Sequence, residues 1–415
     1  MASVPSSECI NMTSLFRRLL PLWLLAASPA FAELHVDVIG SSEIAVEALI
    51  QADTDRFSDD FSFARLDGQA LSTAQIASLS STYGNLLPDS NLRRAEFVLK
   101  GKGPTYDWQV GYDASASTGR GKWLDVYYRR RVNADWTARV GQYKQPNSLE
   151  ELTSTRNNDF ISKSLTTNAF GVARRLGAEV AGTGAQWTVT ASVFARELST
   201  GLAVGNGAGL RGTYAPLKDD FNTVHLGVSG IVMDTLGDRA RVRVRPDADL
   251  ANLRLVDSGD LRDATSLSTL GAEAAWLHGP LKLTSEYMRQ TIQRDATANF
   301  NSDSWYASGI YNLTGEKFLY KQGIYRTPLP NQPSRGLWQA ALRYDAIHLD
   351  DGMVNGGQEA NLTVGVNWYW RQNVKLMANY VKVNSDRLVR LTGVPSAIAV
   401  NNDPDIIEMR VQIML

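Results

Sequence analysis

The feature that most constrains the fold is a two-residue alternation of apolar and polar side chains. In NLTVGVNWYW, residues 361–370, every second residue from Leu362 to Trp370 is apolar. Successive side chains of a β-strand lie on opposite faces of the sheet, so this pattern predicts a strand with one apolar face. The alternation recurs in WLDVYYR at 123–129 (Leu124, Val126 and Tyr128 on the apolar face), QWTVTASV at 186–193, WQAALRYD at 338–345 and EMRVQIML at 408–415. The chain is therefore expected to be all-β.

The breaks between these stretches indicate how the strands are connected. No apolar run after residue 32 approaches 18 residues, so membrane-spanning helices are not expected. Clusters of Gly, Pro, Asn and Asp, such as VNADW at 132–136 and YWRQN at 369–373, predict chain reversals. Short breaks of this kind alternate with longer ones. That is the plan of a transmembrane β-barrel, which has short turns at one end and long loops at the other.

A soluble β-sandwich is the alternative, because its strands alternate in the same way. The polar faces of such strands would carry scattered Lys and Glu, whereas the polar faces here carry Thr, Gly, Asn, Gln, Tyr and Arg, as a water-filled lumen would. Aromatic residues also recur near strand ends, where membrane barrels have interfacial girdles. These residues are Trp123, Tyr128, Trp136, Trp276, Tyr287, Trp368 and Trp370. Both features favour the membrane barrel.

The N-terminus predicts export. Phe16, Arg17 and Arg18 precede an apolar run at 19–27, and SPAFA at 28–32 ends in a small-x-small pattern. We therefore expect a signal peptide over residues 1–32, starting at Met1 or Met12, and a single barrel domain over 33–415. The alternative is a short membrane anchor or a buried helix, but the run is shorter than the ~20 residues that a span requires. The single cysteine, Cys9, would be removed with the leader.

The length of the mature chain sets the size of the barrel. At about ten spanning residues per strand plus loops, it supplies roughly sixteen antiparallel strands. The wall side chains of a barrel this wide cannot fill its interior, so an aqueous channel is expected. A loop folded into the lumen would narrow the channel, and residues 143–170 are the candidate segment.

Residues 239–247, RARVRVRPD, place Arg239, Arg241, Arg243 and Arg245 at alternate positions. An extended segment would carry all four on one face. Facing lipid near the midplane, each would cost about 2–4 kcal/mol, so we expect them to face the lumen. Spaced by about 6.5–7 Å, they would offer successive bidentate sites for phosphate oxygens. The alternative is an exposed edge strand of an extracellular loop, whose charges oppose aggregation or pair with lipopolysaccharide phosphates.

Other functional classes receive little support. The formal net charge is −1, so the chain as a whole is not expected to bind nucleic acid, and any electrostatic function must be local. The four histidines, His35, His225, His278 and His348, are isolated, and no spacing suggests a metal or a cofactor. A barrel phospholipase would need a Ser-His pair on the lipid face. His225 is the only eligible base, and alternation places it on the lumen face, so no enzyme is expected.

RVGQYKQPNSLEELTS at 139–154, together with LRRAEFVLKG at 92–101, resembles the phosphate-selective porin O and P family. The resemblance implies a sixteen-stranded outer-membrane barrel, usually trimeric, whose third extracellular loop folds into the pore. It also implies that Arg93, Arg94 and Lys163 lie at the constriction. Arg241, Arg243 and Arg245 would form an arginine ladder that leads to it, with Arg239 outermost.

The chain departs from the family pattern at two places. VEALIQAD at 46–53 has Ala48 and Leu49 where the family carries a Gly-Arg pair, and Glu96 stands where an aromatic residue often follows. These changes put tight phosphate binding in doubt. In addition, the adjacent Arg93 and Arg94 can both point inward only if the strand is irregular, and residues 88–91 are the expected source of the irregularity.

The expected function is therefore an anion-selective diffusion channel in the outer membrane of a Gram-negative bacterium, for uptake of phosphate or polyphosphate. The alternative is a less selective porin for other anions or small sugars, in which Tyr106 and Tyr127 would form an aromatic slide. The expected partners are phosphate or other small anions, outer-membrane lipid, lipopolysaccharide and two further copies of the chain.

Overall fold

The computed structural model describes residues 34–39, 42–58, 60–84, 86–115, 121–199 and 205–415. The predicted leader, residues 1–32, lies outside these residues. The first strands are β1 (Leu34–Ile39), β2 (Ser42–Phe57), β3 (Phe61–Arg65), β4 (Asp89–Lys102), β5 (Tyr106–Asp113), β6 (Lys122–Arg131), β7 (Trp136–Lys144), β8 (Arg174–Thr183), β9 (Trp187–Phe194), β10 (Gly207–Lys218) and β11 (Asn222–Asp234). Four short strands follow, β12 (Arg239–Ala240), β13 (Arg243–Val244), β14 (Val256–Asp257) and β15 (Leu261–Arg262).

The second half of the chain completes the barrel. Its strands are β16 (Ala264–His278), β17 (Leu281–Arg294), β18 (Phe300–Asn312), β19 (Leu319–Lys321), β20 (Ile324–Arg326), β21 (Leu337–Asp351), β22 (Val354–Arg371), β23 (Val374–Val389), β24 (Ile398–Asn402) and β25 (Asp405–Met414). Antiparallel pairing of β2 with both β4 and β25 closes the sheet. Since β2 with β3 and β24 with β25 each form one interrupted wall strand, the wall has sixteen strands, as predicted.

Helices are few and short. Thr73–Tyr83 lies in the connection between β3 and β4, and its N-terminus has a capping box, because Ser72 and Gln75 each accept the other's backbone N–H. The turns Leu149–Leu152 and Leu165–Phe170 and the 3-10 turn Thr155–Asn157 lie between β7 and β8. Within the described ranges, none of these helices has the length and apolar character needed to cross a bilayer.

The polarity of the wall distinguishes a membrane barrel from a soluble sandwich. In β22, Leu362, Val364 and Val366 are 42%, 47% and 45% exposed, whereas Asn361 and Thr363 are at most 1% exposed. A water-soluble sheet buries its apolar face, so this arrangement is the reverse of a sandwich. The apolar faces of the barrel wall are directed to lipid and the polar faces to the lumen.

The predicted aromatic residues lie on the outer surface. Trp123, Tyr128, Trp136, Trp276 and Tyr287 are all exposed. The rings of Trp338 and Trp368, on neighbouring strands, stack at 5.0 Å. Rings at the ends of the outward faces match the interfacial girdles expected of a membrane barrel.

The predicted apolar face of β6 is wrong at one residue. Leu124 was expected beside Tyr128, but Leu124 is 2% exposed and Tyr128 44%. The register of β5 against β6 shifts between Val110 and Tyr112. A one-residue irregularity moves the following side chains to the other face.

Three connections carry residues into the barrel. Residues 145–173 join β7 to β8, and residues 235–263 join β11 to β16, both at the end with the long loops. The third, residues 313–336, leaves β18 at the opposite end, where Asn312 N–H donates to Pro280 O in a neighbouring tight turn. Its hairpin β19–β20 buries Tyr325 in one cluster with Leu149 of the first connection. This third insertion was not predicted from the sequence.

Candidate pore constriction

The connection between β7 and β8 has different bounds from the segment predicted as an infolded loop, residues 143–170. Tyr143 and Lys144 complete β7, so the loop, hereafter the constriction loop, comprises residues 145–173. Its first helical turn is held by Glu286 on the inner face of β17. The Glu286 carboxylate accepts hydrogen bonds from Leu149 N–H at 3.0 Å and Glu150 N–H at 2.8 Å. A carboxylate is favourable there because it satisfies N–H groups that the turn leaves free.

The rest of the constriction loop is fastened to the same side of the wall. Lys282 Nζ lies 2.6 Å from Asp159 Oδ2, and Asn379 Oδ1 accepts from Ile161 N–H at 2.8 Å. Asp345 Oδ2 accepts from Leu165 N–H at 2.9 Å. These anchors lie on β17, β21 and β23, so the loop covers that sector and leaves space along the wall formed by β2 and β4 to β8.

A cavity of about 200 Å³ occupies this remaining space. The constriction loop contributes Leu152, Ser154, Thr155 and Arg156, and the wall contributes the rest of its lining. Its charged lining comprises four cations and three anions, Lys100, Lys144, Arg156, Arg174, Glu47, Glu96 and Asp125. The passage therefore carries opposite charges side by side, with cations in excess.

Lys163 lies on the constriction loop and pairs with a carboxylate of the same loop, but it does not line the cavity. Its ammonium group contacts Glu151, and Lys144 Nζ lies 3.7 Å from the same carboxylate. Burial acts to raise the pKa of Glu151, but Lys163 and Lys144 outweigh it and hold that pKa at about 2. Glu151 is therefore ionised at neutral pH and keeps the two ammonium groups beside it.

Arg93 and Arg94 both point inward, because β4 is irregular at Arg93 itself and not at residues 88–91. Gln51 of β2 lies opposite Arg94 and Ala52 lies opposite Leu92, so Arg93 is an extra residue in the register. Such a β-bulge lets neighbouring residues share a face. Arg93 Nε lies 3.0 Å from Asp249 Oδ2, and Arg94 Nη1 lies 2.9 Å from Glu96 Oε1.

The alternating arginines do not belong to a wall strand. They form the arginine segment, residues 239–245, within the infolded connection 235–263, where β12 pairs with β15 and β13 with β14. Val242 and Val244 are 4% and 3% exposed and pack in one cluster with Ile292 and Ile347 of the inner wall. Since side chains alternate, Arg241 and Arg243 are directed away from the wall and are exposed.

Most arginines of this segment have a partner. Arg241 binds both carboxylate oxygens of Asp257, with Nε at 2.7 Å from Oδ1, and Arg239 Nη1 lies 3.3 Å from Asp260. Arg245 Nε donates to Ala251 O at 2.6 Å. Arg243 forms no ion pair with a carboxylate in the part of the chain that the structure describes. Among the described residues, its guanidinium group is the one in the segment without an ion pair or a hydrogen bond.

The structure adds a guanidinium that the sequence pattern did not indicate. Burial lowers the pKa of Arg254, and the nearby charges of Arg245, Arg243 and Arg241 lower it further, against Asp257. Arg254 thus belongs to the same positive cluster. It lies after a chain reversal and outside the two-residue spacing, so no sequence signal identified it.

Asp249, in the same connection as the arginine segment, binds Arg93 of β4. Burial acts to raise the pKa of its carboxyl, but Arg93 and Arg410 outweigh it and hold that pKa at about 2. The sequence did not identify two further cations of the wall, Lys122 and Arg174. Lys122 lies close enough to interact electrostatically with Arg93 and Arg94, and Arg174 with Glu96. Their inward position in alternating strands could have identified them.

The aromatic slide expected for a sugar porin is not formed by the two predicted tyrosines. Tyr127 faces the lumen, where Arg129 and Arg139 lie 5.9 and 5.2 Å from its ring centre. Tyr106 stacks at 5.8 Å on the exposed Tyr128, on the other face of the wall. The alternative mechanism through this pair is therefore wrong.

His225 lies on the lumen side, as predicted. It is fully buried, and its ring nitrogens lie 2.9 Å from Glu273 Oε1 and 2.7 Å from the Tyr320 hydroxyl. The contact with Glu273 joins two neighbouring wall strands, and the contact with Tyr320 joins the wall to the β19–β20 hairpin. Among the described residues, no group of three or more His, Cys, Asp or Glu is arranged to hold a metal ion.

Replacing Glu286 with Gln is expected to widen the constriction. The amide has one acceptor and presents N–H donors to the N–H groups of Leu149 and Glu150, so the helical turn loses its anchor. We expect single-channel conductance to rise, because the turn loses a charge-assisted anchor, which is stronger than a neutral hydrogen bond. Glu179→Gln is the matched control, since Glu179 is also buried but pairs with Arg139 of the wall. Equal conductance changes in the two variants would contradict the anchoring role.

Comparisons with known proteins agree with this geometry. A family model described as phosphate-selective porin O and P matches residues 81–415. The chain is 26% identical to Porin O of Pseudomonas aeruginosa over 358 residues, which cover 75% of this chain and 80% of that protein.

Two solved structures are similar in fold. OmpT of Vibrio cholerae in its trimer form has a TM-score of 0.54 at 9% identity, and the match covers 90% of this chain and 100% of that one. The anion-selective porin from Comamonas acidovorans has a TM-score of 0.53 at 11% identity, with the same coverage. The barrel, its infolded loops and the family match lead to one conclusion: the chain is an outer-membrane channel protein, not an enzyme, and belongs to the phosphate-selective porin O and P family.

Proposed function

We propose that this porin is an anion-selective diffusion channel that admits phosphate or polyphosphate through the outer membrane of a Gram-negative bacterium. The observation that carries the proposal is the arginine segment inside the barrel. Its valines pack on the wall, so Arg241 and Arg243 are presented to the lumen. Arg239 is the outermost rung, and Arg93, Arg94 and Lys163 line the path beyond the segment.

The chemistry of guanidinium groups suits this role. A guanidinium remains charged at any physiological pH and binds phosphate oxygens in a bidentate fashion. Successive sites along the path let an anion move from one to the next without tight retention at any of them, which conduction requires. The low-dielectric wall focuses the field, so a chain of net charge −1 can still concentrate anions locally.

The carboxylates beside these cations bear on affinity. Asp257, Asp249, Glu96 and Glu151 each neutralise part of a neighbouring cation. Phosphate binding is therefore expected to be weak, and a less selective porin for other small anions is the second candidate. The Arg94–Glu96 pair is the contact that favours this second candidate.

The cellular setting follows from the same observations. The leader over residues 1–32 is expected to direct export and then be cleaved. The apolar outer face contacts outer-membrane lipid, and the exposed end contacts lipopolysaccharide. Assembly as a homotrimer is supported by the resemblance to the family and by the trimer form of the Vibrio cholerae porin.

Planar bilayer recordings of the purified porin test the proposal. In asymmetric KCl, the reversal potential is expected to show preference for chloride, and added phosphate is expected to reduce the chloride current at millimolar concentrations. Sulfate at equal concentration separates phosphate preference from general oxyanion binding. A reversal potential of the opposite sign would refute the anion channel.

A further inference from the structure

Arg343 of the inner wall contacts two of the three infolded connections, residues 145–173 and 235–263. Arg343 of β21 is 1% exposed. Its Nη2 lies 2.7 Å from Asp247 Oδ2, and its Nη1 donates to Ser162 O at 3.1 Å. Asp247 belongs to the connection 235–263, and Ser162 belongs to the constriction loop. One side chain thus joins two segments that are far apart in sequence.

The two contacts lie next to residues of the proposed ion path. Asp247 follows the arginine segment after Pro246, and Ser162 immediately precedes Lys163. Asp345, on the same face of β21, accepts from Leu165 N–H on the other side of Lys163. The backbone on both sides of Lys163 is therefore tied to β21, and the same strand binds Asp247, two residues after the arginine segment.

Because this ion cluster is buried, the loss of one partner is expected to move particular segments of the chain. Arg343 has three carboxylates within 3.6 Å, from Asp247, Asp345 and Glu150, and its guanidinium lies 4.5 Å from the Phe160 ring. Removal of one partner from a buried ion cluster leaves an uncompensated charge, which drives water entry or movement of the segment that bears it. Asp247 and Glu150 lie on loops, whereas Asp345 lies on the wall, so the loops are the parts expected to move.

We propose that Arg343 is a positioning residue that holds the arginine segment and the constriction loop in fixed relation, and thereby sets the width and selectivity of the pore. The proposal rests on the anion-channel function proposed above. Arg343 itself is too buried to meet a permeating ion, so it acts through Lys163 and the arginine segment.

The test compares Arg343→Met, Arg343→Lys and Arg211→Met in planar bilayers. Arg211 is the matched control, because it is a buried wall arginine that binds Glu273 and Gly323 O of the third connection. It contacts neither the constriction loop nor the connection 235–263. We expect Arg343→Met to raise single-channel conductance at least twofold and to shift the reversal potential toward zero. Arg343→Lys should recover part of the selectivity, and Arg211→Met should keep the wild-type reversal potential.

Barrel integrity is followed separately by heat-modifiable mobility on SDS gels. A purely structural role predicts a lower unfolding temperature with unchanged conductance and reversal potential, and that result in folded Arg343→Met would overturn the proposal. If Arg343→Met does not fold, Asp247→Asn serves instead, since it releases only the arginine segment. A wild-type reversal potential in Asp247→Asn would then reject the inference.

The outcomes separate this inference from the proposed function. Cation preference in the wild-type porin would refute the anion channel, whereas the conductance of Arg343→Met would still report whether Arg343 sets the width of the pore. When both Asp247→Asn and Arg343→Met fold, their double variant gives a further check. Because the two residues share one contact, their effects on conductance should be non-additive.

Discussion

Arg243→Ala is expected to weaken phosphate block of the chloride current about tenfold, which corresponds to about 1.4 kcal/mol of binding free energy. Arg243 lacks a carboxylate partner among the described residues, so its guanidinium is free to bind a phosphate oxygen. A hydrogen bond between charged groups contributes roughly 1.5–3 kcal/mol. Because Arg243 is exposed, solvent screening places the effect at the lower end of that range.

Arg262→Ala is the control for this prediction. Arg262 is an exposed arginine in β15, within the same connection, but it lies outside the alternating segment. The Arg262→Ala substitution removes the same charge as Arg243→Ala, so a general electrostatic effect would weaken phosphate block equally in both variants. A tenfold loss in Arg243→Ala with less than a twofold change in Arg262→Ala would assign the binding to Arg243.

Glu96→Gln is expected to strengthen phosphate block by about tenfold. The carboxylate lies 2.9 Å from Arg94 and lines the cavity at the constriction, where it repels anions and engages a cation. A unit charge about 7 Å from an anion contributes roughly 2 kcal/mol at an effective dielectric constant of 20, which is about thirtyfold in affinity. Salt in the water-filled lumen screens part of this repulsion, which lowers the expected effect to about tenfold. The amide has nearly the same shape, so the substitution changes charge while keeping the side-chain volume.

The concentration of phosphate that halves the chloride current measures this effect. Asp107→Asn is the matched variant, because Asp107 pairs with Arg129 at 2.9 Å but does not line the cavity. Unchanged or weaker phosphate block in Glu96→Gln would show that Glu96 does not limit affinity, and the second candidate function would lose its support.

The strands of the barrel wall were predictable because the pattern that specifies their two faces lies within each strand. Alternation in segments such as residues 361–370 and 338–345 specifies which side chains share a face, and the structure confirms those faces. The exception is Leu124, where the register shift between β5 and β6 moves one residue inward. A register irregularity depends on the neighbouring strand, which a single strand's sequence does not show.

The role of the predicted residues in an ion path stays a prediction, and the sequence identified only some of the charged residues inside the barrel. The sequence and the family resemblance identified Arg93, Arg94, Lys163 and the arginine segment, which the structure places inside the barrel. They did not identify Arg254 or the carboxylates Asp249 and Glu151 that hold these cations. Each of these partners lies far along the chain or across a turn from the cation it contacts, so spacing carries no signal for it.

By itself, the sequence determined the all-β barrel, its inward and outward faces and the residue types that the lumen contains, because a two-residue period is a property of each strand alone. Only the tertiary structure decided that the arginines lie on an infolded connection, that a bulge turns both Arg93 and Arg94 inward and that Arg343 joins two loops. Those outcomes depend on which distant segments pack together inside the closed wall. Burial and charge pairing across the lumen select that packing, and neither is encoded in local periodicity.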